Sequence, residues 1–137
     1  MSVIFILDAC ALIALLKKEE GSDVVADIYQ KANNRAVQLC MNRVNLLEVY
    51  YGFYRDGGSA YALNIVQNVE MSSVLITEFS RDVFLEAGRL KATYKLSLAD
   101  SVVLAQTILL NGSILTSDHH EFDDIEGKEN IHFSWIR

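Results

Sequence analysis

A three-layer α/β/α fold on a parallel sheet of five strands is the architecture this sequence predicts, and three observations predict it. Short, β-branched-rich apolar runs alternate with longer segments of helical periodicity, which implies parallel strands joined by helical crossovers. The first run, Val3–Leu7 (VIFIL), is continuously apolar, as expected of a central strand covered on both faces. The chain has 137 residues, 51% hydrophobic and 22% charged. That suits a single domain over residues 1–137, able to bury roughly two-thirds of its unfolded surface.

The elements follow in order. Val3–Leu7 leads into a helical stretch at Ala9–Lys18, which Gly21 ends. Ser22 is placed to cap a helix running to about Ala32, with Val24, Val25, Ile28 and Tyr29 on one face. Val37–Met41 is the second strand. Asn45 can cap a helix carrying Leu46, Leu47, Val49 and Tyr50; Gly57-Gly58 breaks it, and a further helix covers Ser59–Val69. Val74–Thr77 is the third strand. Ser80 caps a helix to about Tyr94, and Ser97 caps Leu98–Leu110, which Asn111-Gly112 stops. Ile114–Thr116 and Ile131–Trp135 complete the sheet. No repeat, low-complexity tract or linker interrupts this pattern.

Composition narrows the function. The first apolar stretch is too short to span a bilayer and is interrupted by Asp8. It also lacks the basic start and small-residue cleavage site of a secretory signal, so the expected compartment is the cytoplasm, with no membrane partner. Cys10 and Cys40 have neither a CxxC nor a His spacing and read as buried, reduced thiols. The net charge is −6, and from Asp118 to Glu129 six acids face one Lys. Proteins that grip nucleic acid by its phosphates carry a basic footprint, so charge disfavours such a partner unless bound metal reverses the field locally.

Asp8 is the only charged residue between Val3 and Leu16. A carboxylate in so apolar a setting is rarely buried without a partner, and here it ends the first strand. Open parallel sheets bind ligands at the carboxyl ends of their strands, where strand order reverses. Three more acids fall at comparable places. Glu48 lies in or near the first turn of the helix after the second strand, Asp100 three residues after the Ser97 cap, and Asp118 just past the fourth strand. Each alone has a plainer account: Asp100 and Glu48 as acids favoured by a helix N-terminus, Asp118 as an ordinary turn acid. Asp8 has the weakest such account, and all four point to one edge of the sheet. Carboxylates converging there repel unless a divalent cation neutralises them, and an all-oxygen set favours Mg2+ or Mn2+ over zinc.

Other residues carry less. His119 and His120 follow Asp118, but nothing completes a zinc site around them, and they read as loop residues. His132, in a strand, reads as structural. Tyr50, Tyr51, Phe53 and Tyr54 can stack bases, although their helical spacing fits packing at least as well. Arg43, Arg55, Arg89, Lys91 and Lys95 are the candidate phosphate contacts, most of them ordinary solvated charges.

The order VIFILDACALIALL, NLLEVYYG, LSLADSVVLAQ and ILTSD followed by Phe122 resembles the PIN domain. It is most similar to the VapC-like toxin ribonucleases of bacterial and archaeal toxin–antitoxin pairs. The resemblance covers essentially the whole chain. It implies a Rossmann-like parallel sheet and a metal-dependent endonuclease acting on single-stranded RNA. It also implies an acidic quartet at Asp8, Glu48, Asp100 and Asp118, with Thr116 orienting a water or an acid. Family members are often homodimers, inhibited by a VapB-like antitoxin whose C-terminal segment fills the active-site groove.

These residues imply one or two Mg2+ ions held by Asp8 and Asp100, directly or through waters shared with Glu48 and Asp118. In-line attack by water then leaves a 5′-phosphate and a 3′-hydroxyl. Asp123 and Asp124 lie close enough in sequence to stand in for Asp118. A phosphotransfer domain using Asp8 as nucleophile fits poorly: Leu7 and Ala9 flank it where a second acid is needed, and the chain ends Trp135-Ile136-Arg137 without a Lys. A catalytically silent PIN-like module binding RNA or protein is the non-enzymatic alternative, which the net negative charge keeps open.

Overall fold

The structure, a computed structural model, describes residues 3–137. Its centre is an all-parallel sheet of β1 (Val3–Leu7), β2 (Val37–Asn42), β3 (Leu75–Thr77), β4 (Ser113–Thr116) and β5 (His132–Trp135), in the order β3-β2-β1-β4-β5. The six helices are α1 (Ala9–Lys17), α2 (Ser22–Asn33), α3 (Arg43–Glu70), α4 (Arg81–Thr93), α5 (Leu98–Leu110) and α6 (His119–Phe122). The expected α/β architecture of five parallel strands is what forms.

Strand alternation explains the layers. Leu7, Leu39, Met41 and Leu115 turn to one face and pack with α1, α2 and α3 residues such as Leu12, Val25, Leu46 and Val49. Ile6, Cys40 and Ile114, one residue out of phase, turn to the other face and meet Val83, Leu90, Val103, Leu104 and Phe122. Both faces of the central strands are therefore apolar, which is why their sequences run hydrophobic without alternation. Cys10 and Cys40 are free thiols; Cys40 is buried, and Cys10 is only partly so. None of the described helices is long and apolar enough to cross a membrane.

Several boundaries differ from expectation for local reasons. The cap of α3 is Asn42, whose side chain accepts from the Val44 N–H at 3.0 Å; Asn45, the expected cap, lies inside the helix. Glu48 accordingly sits in the second helical turn rather than the first. Gly21, not Ser22, caps α2, in a left-handed conformation with φ 91°. Its Cβ position lies 2.7 Å from the Ile136 carbonyl oxygen, so a side chain has no room there. α6 was not anticipated; Asp118 caps it by accepting the Glu121 N–H at 3.2 Å. Ser80 and Ser97 cap α4 and α5 as expected, and Asn111 ends α5 in the left-handed region at φ 51°.

The two halves of α3 join at Gly58, with φ 87° and ψ −178°. That region is essentially restricted to glycine. Nothing lies within 4 Å of a Cβ built there, so a side chain meets backbone strain alone. Gly58→Ala is expected to destabilise the protein by about 1–3 kcal/mol. A thermal melt of the variant checks this, and an unchanged Tm would mean that the bend tolerates an ordinary backbone.

Candidate active site

The carboxyl edge of the sheet is organised around the gap between β1 and β4. From β1 the chain crosses to β2 on one side, whereas β4 lies on the other, so strand order reverses there. The Asp8 N–H continues the ladder onto the Leu115 carbonyl at 3.1 Å, which fixes Asp8 at the mouth of that gap. It caps α1, with Oδ1 accepting the Ala9 N–H at 2.8 Å. Oδ2 accepts the Thr116 hydroxyl at 2.8 Å and faces the Cys10 thiol at 3.4 Å. Thr116 Oγ1 in turn accepts the Asp118 N–H at 3.1 Å. One threonine thus ties the first acid to the backbone of the fourth.

Asp8 is only 3% exposed. Burial drives its pKa upward; the Thr116, Cys10 and Ala9 hydrogen bonds pull the other way, and the Asp118 charge adds to the rise. Burial, then the Asp8 and Asp118 charges, also raises Glu48. Asp100, next to the Ser97 cap on α5, is pushed from its ordinary 3.8 to about 7, first by burial and then by the Asp8 charge, with Asp118 and Glu121 contributing. The Cys10 thiol is driven to about 12 by burial and the neighbouring Asp8, so it remains protonated at neutral pH.

The charges of Asp8 and Asp118 therefore reach both Glu48 on α3 and Asp100 on α5, and that of Asp118 reaches Asp8. The two nearby alternatives are occupied differently: Asp123 pairs with His119 at 2.8 Å, and Asp124 lines a neighbouring cavity that none of the four acids lines. As the side chains stand, no group of three His, Cys, Asp or Glu among the described residues closes tightly enough to hold an ion. Like charges in a partly buried cleft resist closer approach, so gripping a cation requires the carboxylates to rotate inward. The donor set itself suits a hard divalent cation, being all oxygen, with burial and neighbouring charges raising Asp8, Glu48 and Asp100.

Asn45 went unrecognised as part of this site. Its Nδ2 donates to the Ala99 carbonyl at 3.0 Å and lies 3.4 Å from Glu48 Oε1, bridging α3 to the first turn of α5. Both partners are acceptors, which fixes which end of the amide faces them. Its Oδ1 is buried with no hydrogen-bond partner. An orphaned acceptor costs stability, and one on the residue that contacts Glu48 suits a site built to receive a water or a solvated cation. Glu121 was likewise missed, although its charge reaches Asp100.

The remaining candidates separate. His119 stacks on Trp135 at 3.8 Å and makes 2.8 Å contacts to Asp123 and the Arg137 carbonyl, so it is structural rather than a free loop group. His132 pairs with the Ser113 hydroxyl at 2.6 Å. Phe53 is core, whereas Tyr51 and Tyr54 are exposed. Arg43 is occupied by Glu70 and Glu78, and Arg89 by Glu86 and Glu129.

Solved structures that share this fold include chains from VapBC complexes. VapBC2 from Rickettsia felis, bound to a promoter DNA fragment, matches with a TM-score of 0.76 at 16% identity, covering 97% of this chain and 98% of that one. DNA-bound VapBC from Salmonella typhimurium matches at 0.76 and 16%, covering 98% and 99%. VapBC-1 from nontypeable Haemophilus influenzae matches at 0.72 and 18%, covering 98% of each chain. No curated protein sequence matches the chain. The family model for the PIN domain matches residues 5–128, a span that contains Asp8, Glu48, Asp100, Thr116 and Asp118, and the chain belongs to the PIN domain family.

Proposed function

We propose that this protein is a Mg2+- or Mn2+-dependent endoribonuclease that hydrolyses phosphodiester bonds in single-stranded or loop RNA, as the toxin of a type II toxin–antitoxin pair. The observation that carries this reading is Asp8, a carboxylate buried at the mouth of the β1–β4 gap, coupled electrostatically to Glu48, Asp100 and Asp118. Asp8 and Asp100 are the residues that would hold the cation, with Glu48 and Asp118 as the further ligands, directly or through water. The chemistry such a cation would supply there is charge neutralisation at the scissile phosphate and a lowered pKa for an attacking water. Thr116 holds Asp8 in one orientation through its 2.8 Å hydrogen bond, and Asn45 steadies Glu48 against α5. The leaving 3′ oxygen departs without help from the RNA 2′-hydroxyl.

A VapB-like antitoxin is the proposed inhibitor, its cationic side chain answering the acidic groove. Its support is the fold shared with chains from VapBC complexes. A second copy of the chain is the proposed homodimer partner. Phe79, Phe84, Leu85 and Leu98 form an apolar surface suited to it, each at least 45% exposed. The proposed compartment is the cytoplasm.

A silent PIN-like binding module is the second reading, and the net charge of −6 is the observation that favours it. Analysis of product ends separates the two readings. The nuclease leaves 5′-phosphate and 3′-hydroxyl termini; a 2′,3′-cyclic phosphate would sink the metal mechanism, and intact RNA would favour the module.

A further inference from the structure

One cavity shares a wall with the carboxylate centre. It measures about 450 Å3 and is lined by Tyr94 and Lys95, which lead from α4 towards the Ser97 cap of α5, and by His120, Glu121, Asp124 and Lys128 around α6. Glu121 belongs to both places: its N–H binds Asp118 Oδ1 at 3.2 Å, and its charge acts on Asp100. The cavity therefore neighbours the acids through Glu121, on the side of α6.

Its cations are not engaged elsewhere. Arg43, Arg89, Lys17 and Lys31 are all in ion pairs. Lys91 donates to the Leu96 carbonyl. Lys95 and Lys128 make neither an ion pair nor a side-chain hydrogen bond among the described residues, yet they line the same cavity. Both ammonium groups are exposed and uncommitted, and so free to meet an anion. Tyr94 lines the cavity too, its hydroxyl anchored to Glu129 at 2.5 Å, while Glu129 is itself held by Arg89 at 2.8 Å. A tyrosine ring fixed in this way is a stacking platform with little entropy left to lose.

We propose that this cavity is a nucleotide subsite for single-stranded RNA, holding the nucleotide next to the scissile one with its phosphate between Lys95 and Lys128 and its base against Tyr94. The inference rests on the ribonuclease reading for which phosphate is cut, but the binding it describes does not require cutting. The volume suits one nucleotide, since small-ligand sites run from about 300 Å3 upward. The lining holds two acids, Glu121 and Asp124, against the two ammonium groups that would meet the phosphate.

Binding of a short, unstructured, fluorescein-labelled RNA to the Asp8→Asn chain in Mg2+ tests the proposal across a range of KCl concentrations. Adding Lys95→Gln and Lys128→Gln should weaken binding about tenfold and make the dependence of log affinity on log salt shallower by about one. Lys18→Asn with Arg35→Asn is the control. These cations lie at the amino edge of the sheet, and asparagine tolerates their left-handed backbones (φ 55° and 61°). In the cleavage-competent chain the same Lys95 and Lys128 substitutions should raise KM about tenfold with kcat nearly unchanged. Unchanged affinity and salt slope would overturn the subsite, as would an equal loss in the control pair. If the wild-type chain fails to cut RNA while the binding pattern holds, the nuclease reading falls and the subsite stands.

Discussion

Asp8→Asn is expected to reduce RNA cleavage by about a thousandfold while leaving the fold intact. The size of the effect follows from where Asp8 sits. It is the most buried of the four acids and the only one anchored by both a backbone N–H and a side-chain hydroxyl. Its amide replacement is isosteric and keeps an oxygen for the Ala9 N–H. The amide NH2 then faces the Thr116 hydroxyl, which can turn to accept. What disappears is one negative charge at the centre of the group, and with it the strongest donor for a hard cation. Circular dichroism and a melt on the same sample establish that the loss is chemical. Residual cutting within tenfold of wild type would place the chemistry elsewhere.

The second large effect is on stability, and its sign is opposite to that of a typical acid. The folded pKa of Asp100, about 7, lies above its ordinary 3.8, so between these values the folded chain holds a proton that the unfolded chain has released. Stability contributed this way is full at low pH and is lost as pH rises towards 7. Asp8 and Glu48 shift in the same direction. The metal-free protein in EDTA is therefore expected to melt at a lower temperature at pH 8 than at pH 5. Asp100→Asn should raise the Tm at pH 8 by about 3–6 °C, corresponding to about 1–2 kcal/mol, and change it little at pH 5. Mg2+ should stabilise the wild type more at pH 8 than at pH 6, because the carboxylates must be ionised to bind it. Differential scanning calorimetry at the two pH values checks each point. A Tm that Asp100→Asn lowers equally at both would show Asp100 to be a structural acid with no repulsion to relieve.

Asp8 was legible in the sequence because it is the one charge in an otherwise apolar stretch, and Asp100 and Asp118 because they follow a cap and a strand. The strands were legible for a related reason: burial on both faces writes itself as unbroken hydrophobicity. What escaped was decided by tertiary contact. Asn42 and Asn45 are both competent caps three residues apart, and only the extension of β2 by one residue awards the cap to Asn42. Asn45, released from that task, became the bridge between α3 and α5. α6 spans four residues, too few for periodicity to register. Glu121 acts on Asp100 through tertiary proximity, which no spacing records. Arg43 and Arg89 read as free cations because their partners Glu78 and Glu129 lie far along the chain.

The most direct measurement is cleavage of an unstructured RNA in Mg2+, Mn2+ and EDTA, with Asp8→Asn and Asp100→Asn run in parallel. The carboxylate account predicts cutting in either metal, none in EDTA, restoration when the metal is returned, and near-complete loss in both variants. Cutting that persists in EDTA, or in both variants at wild-type rates, would contradict it.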